Sequence, residues 1–305
     1  MPPEACSKTL KPMTEEVTIL LLGAGGQLGR LVAEQAFPEV RLLSLPRDML
    51  DVADSFAVKL ALEETRPDII INCAAYTAVD RAEAEVELAF AVNVRGPENL
   101  AEAMAHKTRL IHISTDFVFT AMADRPYQPE DPVDPQSAYG KSKREGERIL
   151  LEKRPDTSTI IRTSWLYSAD GRNFVNTMLR LMNERDELSI VSDQFGSPTS
   201  AEGLAGIIWK FVARNVPQGL YHWSDEGVIS WYDFACGIQR IALDIGLLEK
   251  EIRLIPIRTE DYPVPARRPA YSALDSSTTQ ALLDVKARPW KDQLHDVLVR
   301  IKEKN

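Results

Sequence analysis

A continuous apolar run followed at once by a glycine-rich turn is the feature that most restricts the fold of this chain. The run, Val17 to Leu22 (VTILLL), fits a strand buried on both faces of a parallel sheet. The turn, residues 23–29 (GAGGQLG), leads into a helix predicted over 27–36. Gly23 and Gly29 would let the turn close tightly and let a diphosphate approach the helix N-terminus. A tight structural turn without a ligand is the alternative.

Strand and helix patterns then alternate along the first half of the chain. Further strands are predicted at 40–45, 68–72, 110–114 and 159–162, with helices predicted at 53–65, 86–105 and 142–153. Such alternation predicts an α/β fold, a doubly wound parallel sheet of the Rossmann type with right-handed crossovers. Ligands of such sheets bind at the carboxyl ends of the strands.

The pattern changes after Arg162, where short helices alternate with loops. A helix near 201–214 and a strand-like segment, 219–223, could return to the main sheet. We therefore predict a flexible N-terminal tail, a Rossmann domain that binds NAD(P), and a smaller C-terminal lobe that binds the substrate. The predicted bounds are 1–16 for the tail, 17–165 with a return of about 201–223 for the Rossmann domain, and 166–200 with 224–305 for the lobe.

Composition excludes several classes of partner. The 305 residues are 44% hydrophobic and carry a formal net charge of −9, which argues against binding nucleic acid or an anionic membrane surface. No apolar run approaches the length of a membrane span. The three cysteines (Cys6, Cys73 and Cys236) lie far apart without metal-ligand spacing, so no disulfide framework and no metal site is predicted. A cytoplasmic protein is the resulting expectation.

The end of the predicted second strand bears on cofactor choice. A carboxylate there would bond a ribose 2′-hydroxyl, whereas an arginine would accept a 2′-phosphate. Arg47 comes first, which favours NADP(H), while Asp48 and Asp51 keep NAD(H) open. Arg47 could equally be an ordinary surface residue.

Tyr139 and Lys143 are four residues apart in a segment that predicts a helix, so both side chains should lie on one face. A nearby cation lowers the pKa of a phenol. Bringing that pKa from about 10 to about 7 takes roughly 4 kcal/mol, and the result is a general acid near working pH. A surface Tyr–Lys pair is the alternative. Because the helix precedes the fifth strand, it can reach the edge where Ala74-Ala75 and Ser114-Thr115 should lie.

These segments together carry a resemblance. The chain resembles the extended short-chain dehydrogenase/reductase family and, within it, the dTDP-4-dehydrorhamnose reductase family, over about residues 17–300. The segments that carry the resemblance are GxxGxxG, NCAAYTAVDRAEAE, ISTDFVF, YGKSKREGE, RTSWLYSADGRNF, SDQFGSPT and PARRP. The resemblance implies hydride delivery from NADPH, with NADH as the alternative, to the 4-keto carbon of a dTDP-sugar.

The resemblance also implies residue roles. Tyr139 would be the proton donor, Lys143 would lower its pKa and bond the nicotinamide ribose, and Thr115 would hydrogen-bond the reacting oxygen. Cofactor contacts are expected from the glycine turn, the second strand end and the segment after the third strand: Gly23, Gly26, Gln27, Leu28, Gly29, Arg47, Asp51, Val52, Ala74, Ala75 and Tyr76. Substrate contacts are expected from Thr115, Asp116, Trp165, Asn173 and Arg268. Structural roles are the alternative to substrate binding at two of these positions: Trp165 could be a core residue, and Arg268 could be an ordinary surface charge.

The chain departs from the family pattern at three places. Phe117 stands where a tyrosine is usual, Thr120-Ala121 replaces a common Asp-Gly or Pro-Gly, and Leu31 occupies the position of a metal-binding glutamate, so no metal is carried over. Three other functions stay open: a reductase of another nucleotide sugar, an epimerase, and a non-catalytic protein like the regulatory subunit of methionine adenosyltransferase. A homodimer is a further expectation.

Overall fold

Twelve strands are present in the residues that a computed structural model describes, which are 17–120, 124–214 and 216–304. The predicted tail, 1–16, and Ala121 lie outside these residues. In chain order the strands are β1 (Val17–Leu22), β2 (Val40–Leu45), β3 (Ile69–Asn72), β4 (Arg109–Thr115), β5 (Ser158–Thr163), β6 (Leu166–Tyr167), β7 (Glu187–Val191), β8 (Phe195–Gly196), β9 (Thr199–Ser200), β10 (Gly219–His222), β11 (Ile229–Ser230) and β12 (Arg253–Ile257).

Helices fill the connections between these strands. They are α1 (Gln27–Glu34), α2 (Ser55–Thr65), α3 (Val79–Ala82), α4 (Val86–Phe90), α5 (Gly96–Ala103), α6 (Ala138–Lys153), α7 (Phe174–Glu184), α8 (Ala201–Ala213), α9 (Trp231–Asp244), α10 (Ser277–Leu283) and α11 (Trp290–Lys304). Short 3-10 turns occur at Asp116–Val118 and Thr259–Asp261. In the part of the chain described here, no helix combines the length and apolar character needed to cross a bilayer.

Six strands form one parallel sheet in the order β10-β5-β4-β3-β1-β2. Side chains of a strand alternate between its two faces, so Ile19 and Leu21 pack with α1 and α8, while Leu20 and Leu22 pack with α2 and α5. Both faces are therefore buried, which is why β1 is a continuous apolar run. The predicted doubly wound α/β sheet is confirmed.

A smaller cluster of helices forms a second hydrophobic core. It is built around α7, α9 and α11, and Val175, Phe234 and Leu294 are fully buried in it. The parallel pair β7–β12 completes this lobe. Neither strand is predicted from the sequence, and β12 contains Pro256 within a proline- and arginine-rich stretch.

The helix predicted over 86–105 contains a π-helical turn, Ala91–Arg95, between α4 and α5. Asn93, within this turn, is buried and accepts a hydrogen bond from the Tyr76 amide through Oδ1. Its Nδ2 donates to the Tyr76 carbonyl and to the Ser142 hydroxyl. The wider turn thus joins the segment after β3 to helix α6, which carries Tyr139.

Candidate active site

The glycine turn lies directly against the segment that follows β3. Gly23 has a φ of +71°, and a Cβ placed there would lie 2.6 Å from the Ala74 nitrogen. The turn also meets the end of β2, because the Ala24 amide donates to the Leu45 carbonyl at 3.3 Å. Three predicted cofactor segments therefore converge at the carboxyl ends of the strands.

The N-terminus of α1 suits a diphosphate. Gly26 occupies the N-cap position and supplies no capping side chain, so N–H groups of the first turn are left for a ligand. Leu28 and Gly29 are buried in the same helix. Gln27 turns instead toward the second lobe, where its Nε2 donates to the Leu166 carbonyl and its Oε1 accepts from Ser168. These groups fit the nucleotide cofactor that the sequence predicts.

Replacing Gly23 with alanine is expected to lower the free energy of unfolding by about 2 kcal/mol or more, because a non-glycine residue is strained at this φ and its Cβ would overlap the backbone of residue 74. Urea unfolding measures the change. Gly25→Ala is the control: its Cβ would lie 3.4 Å from that of Pro46, an ordinary contact, so we expect a change within about 0.5 kcal/mol. Equal effects at the two glycines would contradict this account of the turn.

Arg47 lies exposed just past the end of β2. Its guanidinium is 3.7 Å from the Asp51 carboxylate, and the two side chains are 68% and 42% exposed. Asp51 also accepts a hydrogen bond from the Ala53 amide, and the buried Val52 uses its carbonyl to accept one from Asn99. Because the exposed ion pair is weak, the guanidinium can exchange Asp51 for a phosphate at little cost.

Helix α6 brings Tyr139 to the end of β4. Gly140 permits this approach, since a Cβ there would lie 2.3 Å from the Phe117 carbonyl oxygen. The Tyr139 ring is buried, packs edge-on against Phe117 and belongs to the same apolar cluster as Tyr76. Thr115 hydrogen-bonds the phenol. Tyr139 and Thr115, both predicted as catalytic, are therefore in contact.

Burial raises the pKa of Tyr139 to about 12; the Thr115 hydrogen bond lowers that pKa and the nearby Asp116 carboxylate raises it further. The expectation that Lys143 brings this pKa to about 7 is not met in this structure. The Lys143 amine instead donates to the Ile113 carbonyl at 2.7 Å and lies 3.2 Å from His112 Nε2. Burial lowers the pKa of Lys143 to about 8. The phenol is thus fully protonated at neutral pH, the form a proton donor requires.

Asp116 is tied to the C-terminal part of the chain. Its side chain is buried, accepts a hydrogen bond from Ser272 at 2.6 Å and another from Thr115 at 3.1 Å. Burial raises the pKa of Asp116 to about 6, and these hydrogen bonds oppose the rise. The predicted substrate residue thus helps to fix the loop around Ser272 over the end of β4.

Arg268, predicted to contact the substrate, is paired with an acidic side chain in this structure. Its guanidinium forms a bidentate pair with Asp80 at 2.9 and 2.7 Å, and the Asp80 carboxylate also accepts from the Ala266 amide. The Arg268 hydrogen bond holds the pKa of Asp80 below its usual range. In this structure Arg268 closes the C-terminal loop onto the segment after β3; Arg267 beside it is exposed.

Trp165 has a φ of +46°, which is rare for a side chain of this size. Its ring stacks on Trp231 with centroids 3.5 Å apart, and a Cβ on Gly196 would lie 2.8 Å from its Nε1. The indole is thus packed on one face but only half-buried. Asn173, also predicted to bind substrate, is the N-cap of α7, and its Nδ2 donates to the Ser168 carbonyl.

A buried ion pair in this region went unnoticed in the sequence. Glu147 lies one helical turn beyond Lys143 on α6, and its carboxylate accepts two hydrogen bonds from Arg162 at 2.8 and 2.7 Å. Both side chains are at most 2% exposed. The spacing of Tyr139, Lys143 and Glu147, four residues each, is a signal that could have revealed it. No comparable sequence signal pointed to the other residues that contact the predicted site, which are Trp231, Ser272 and Asp80.

A doubly wound sheet, a glycine turn after its first strand, and a buried Tyr–Lys pair on the helix before its fifth strand define a protein of the short-chain dehydrogenase/reductase class. A family profile described as the RmlD substrate binding domain matches residues 17–303. The chain is 41% identical over 287 residues to a dTDP-4-dehydrorhamnose reductase of Aggregatibacter actinomycetemcomitans, covering 92% of this chain and 97% of that protein. The chain belongs to the dTDP-4-dehydrorhamnose reductase family.

Two further relatives bear on cofactor and substrate. The crystal structure of a dTDP-4-dehydrorhamnose reductase from Bacillus anthracis in complex with NADP has a TM-score of 0.87 and 36% identity, covering 94% of this chain and all of that one. A probable dTDP-4,6-dihydroxy-2-methyloxan-3-one 4-ketoreductase of Streptomyces antibioticus is 39% identical, covering 91% of this chain and 93% of that protein. Similar chains therefore carry names with different sugar substrates.

Proposed function

We propose that this protein reduces the 4-keto group of dTDP-4-dehydro-L-rhamnose to give dTDP-L-rhamnose, with NADPH as the reductant. The observation that carries the proposal is the buried contact between Tyr139 and Thr115 at the carboxyl end of β4, in a chain of this family. A phenol and an aliphatic hydroxyl that lie together can both hydrogen-bond to the oxygen of one ketone. The chemistry is then a hydride transfer coupled to a proton transfer.

NADPH, when bound, supplies the hydride. The turn at Gly23 and the first turn of α1 would hold its diphosphate, and Arg47 would meet its 2′-phosphate. Ala74, Ala75 and Tyr76 would line the cofactor after β3. Ala74 already lies against the turn, and the Tyr76 backbone is held on both its polar atoms by Asn93.

The protein's own groups supply the proton and the orientation. Tyr139 donates its phenolic proton to the oxygen of the former ketone, while Thr115 hydrogen-bonds that oxygen and so stabilises developing negative charge. Lys143, one helical turn beyond Tyr139, would favour the phenolate that remains when its amine is protonated, because a nearby cation stabilises an anion. Asp116 and Trp165 contact the deoxysugar in this proposal.

A spectrophotometric assay tests the function. Purified protein mixed with NADPH and dTDP-4-dehydro-L-rhamnose should consume the absorbance of the reduced nicotinamide and yield the C4 alcohol. No turnover with either NADPH or NADH would refute the proposal. An inverted sugar without net consumption of cofactor would identify an epimerase instead, and co-purification with a methionine adenosyltransferase would favour a regulatory subunit.

A 4-ketoreductase of a different dTDP-deoxysugar is the second candidate. The similarity to the Streptomyces antibioticus protein favours it, and so does Phe117, whose ring packs against Tyr139 where the family usually has a tyrosine. Comparing kcat/KM for several dTDP-4-keto-6-deoxysugars separates the two candidates. A higher value for another sugar would transfer the assignment to that sugar.

Replacing Arg47 with alanine is expected to raise the KM for NADPH about tenfold and to leave the KM for NADH little changed, because only NADPH carries the phosphate that the guanidinium would bind. Steady-state kinetics with both cofactors measure the effect. Arg41, which is exposed on β2 itself, supplies the matched control, Arg41→Ala. Equal changes for the two cofactors would remove Arg47 from the phosphate site.

We also propose a cytoplasmic enzyme. Cys73 and Cys236 are free thiols, as is usual for proteins of a reducing compartment. Cys6 lies outside the described residues. A homodimer stays a prediction, which sedimentation analysis would test.

A further inference from the structure

The Trp165 indole is held by two residues that the sequence did not predict as part of the site. Its ring stacks on Trp231 with centroids 3.5 Å apart and planes 9° from parallel. A Cβ on Gly196 would lie 2.7 Å from its Cε2, so only a glycine lets the β8 backbone come this close to the ring. One face of the indole is therefore covered by Trp231, and a substrate must use another part of the ring.

The Trp165 backbone has a conformation that needs support from its surroundings. Its φ of +46° lies in the left-handed region, which bulky residues occupy only where neighbouring contacts impose it. The Trp165 carbonyl accepts from the Thr199 amide at 3.3 Å, and the Ser164 hydroxyl donates to the Ser197 carbonyl at 2.6 Å. These contacts fix the backbone of the loop after β5, but the orientation of the indole also depends on the groups that touch its ring.

Trp231 is itself held in place by two helices of the second lobe. It is the first residue of α9 and directly follows a capping box, in which Ser230 and Asp233 each accept from the amide of the other. Phe174, at the start of α7, packs against the Trp231 ring with centroids 4.6 Å apart. The stack therefore connects Trp165 to a fixed part of the lobe.

The two supporting residues are also connected to each other. Strands β8 and β11 pair in antiparallel register, with Gly196 opposite Ile229. Trp231 directly follows β11 in the chain. The strand pairing therefore sets the position of the glycine relative to the second indole, and Trp165 contacts both.

We infer that Trp231 and Gly196 are positioning residues for Trp165: the stack holds the indole in one orientation, and the glycine leaves room for that orientation. Trp231 then acts on the substrate only through Trp165. The inference rests on the proposed function in one respect, the contact between Trp165 and the deoxysugar. The rigidity of the indole can be measured without substrate, so the inference and the proposed function can fail separately.

Indole rigidity is measured by ¹⁵N relaxation of the tryptophan side chains in the protein without ligand, with Trp165→Phe identifying the Trp165 signal. We expect its Nε1–H order parameter to be about 0.85, typical of a rigid group, and to fall below about 0.6 in Trp231→Leu. Trp231→Phe keeps an aromatic ring against the indole and should preserve most of the rigidity. Trp209 is the internal reference, because its Nε1 donates to the Val32 carbonyl at 2.8 Å. An unchanged Trp165 order parameter in Trp231→Leu would overturn the inference.

Steady-state kinetics test the effect on the substrate. Trp231→Leu should raise the KM for dTDP-4-dehydro-L-rhamnose about fivefold to tenfold, the range expected for loss of one aromatic contact, and leave kcat within about twofold. In a Trp165→Leu background the same substitution should change KM by less than about twofold, because both substitutions remove the same contact. An equal increase in both backgrounds would show that Trp231 contacts the substrate itself and would refute its positioning role.

Gly196→Ala tests the second support without removing an aromatic side chain. The added methyl group would displace the indole, so the KM for the sugar should rise about as much as in Trp231→Leu, while the dissociation constant for NADPH stays within about twofold. Gly206→Ala is the control, because a Cβ there would lie 3.5 Å from Gln35 Oε1, an ordinary contact. Equal KM values in the two alanine variants would show that the indole does not depend on the space at Gly196.

Discussion

Replacing Tyr139 with phenylalanine is expected to reduce kcat by about 10²–10⁴-fold, the contribution typical of a positioned general acid. The phenol is the proton donor in contact with Thr115, and phenylalanine keeps the ring packing against Phe117 while removing only the hydroxyl. The dissociation constant for NADPH should stay within about threefold, or less than about 0.7 kcal/mol. Steady-state kinetics and quenching of protein fluorescence by NADPH measure the two quantities.

A matched control distinguishes loss of the proton donor from loss of a hydroxyl in general. Tyr221→Phe removes a phenol that donates to the Pro217 carbonyl at 2.7 Å, on the outer strand of the sheet. That variant should turn over like the parent protein. Unchanged kcat in Tyr139→Phe would show that another group donates the proton, and a large loss of NADPH binding would show a structural role for the hydroxyl.

Replacing Glu147 with glutamine is expected to lower the free energy of unfolding by about 3–5 kcal/mol, because it leaves the Arg162 guanidinium buried without its counter-charge. Arg162 is 2% exposed, and its other contacts are the Pro129 carbonyl and the ring of Phe119, neither of which carries charge. Urea unfolding, analysed with an unchanged slope, measures the loss.

Two variants test the cause of that loss. Glu184→Gln breaks an exposed pair with Arg180 and should change stability by about 0.5 kcal/mol or less. The double variant Glu147→Leu with Arg162→Met removes both buried charges and should recover at least about half of the loss, since apolar side chains of similar size often replace buried pairs without penalty. A loss at Glu147→Gln as small as that at Glu184→Gln would show that Arg162 finds another partner or water.

The strands of the main sheet and the glycine turn were predictable because their signals are local. β1 is a continuous apolar run bounded by glycines, and α6 follows an N-cap serine, Ser137, that accepts from the Gly140 amide. Only the π-helical turn at Ala91–Arg95 departs from the predicted long helix. It depends on the contacts of Asn93 with Tyr76 and Ser142, which are 17 and 49 residues away in the chain.

The electrostatics of the site were not predictable from the sequence. The Tyr139–Lys143 spacing predicted a phenol of lowered pKa, yet burial raises that pKa. The lysine amine contacts the Ile113 carbonyl and His112 Nε2 instead of the phenol. Arg268 was predicted only as a substrate contact, and its guanidinium is paired with Asp80 in this structure. In both cases the partner comes from a distant segment, so spacing along the chain carries no information about it.

The sequence by itself determined the doubly wound fold, the family and the residue types at the catalytic edge, because buried strands, glycine turns and helical spacing are written in neighbouring residues. Only the tertiary structure decided which charges are buried and which side chains are already paired. Those properties depend on exclusion of water and on contacts between strands far apart in the chain. Burial of Tyr139, Lys143 and Glu147 along one face of α6 is the physical reason that their chemistry differs from that of the same residues in water.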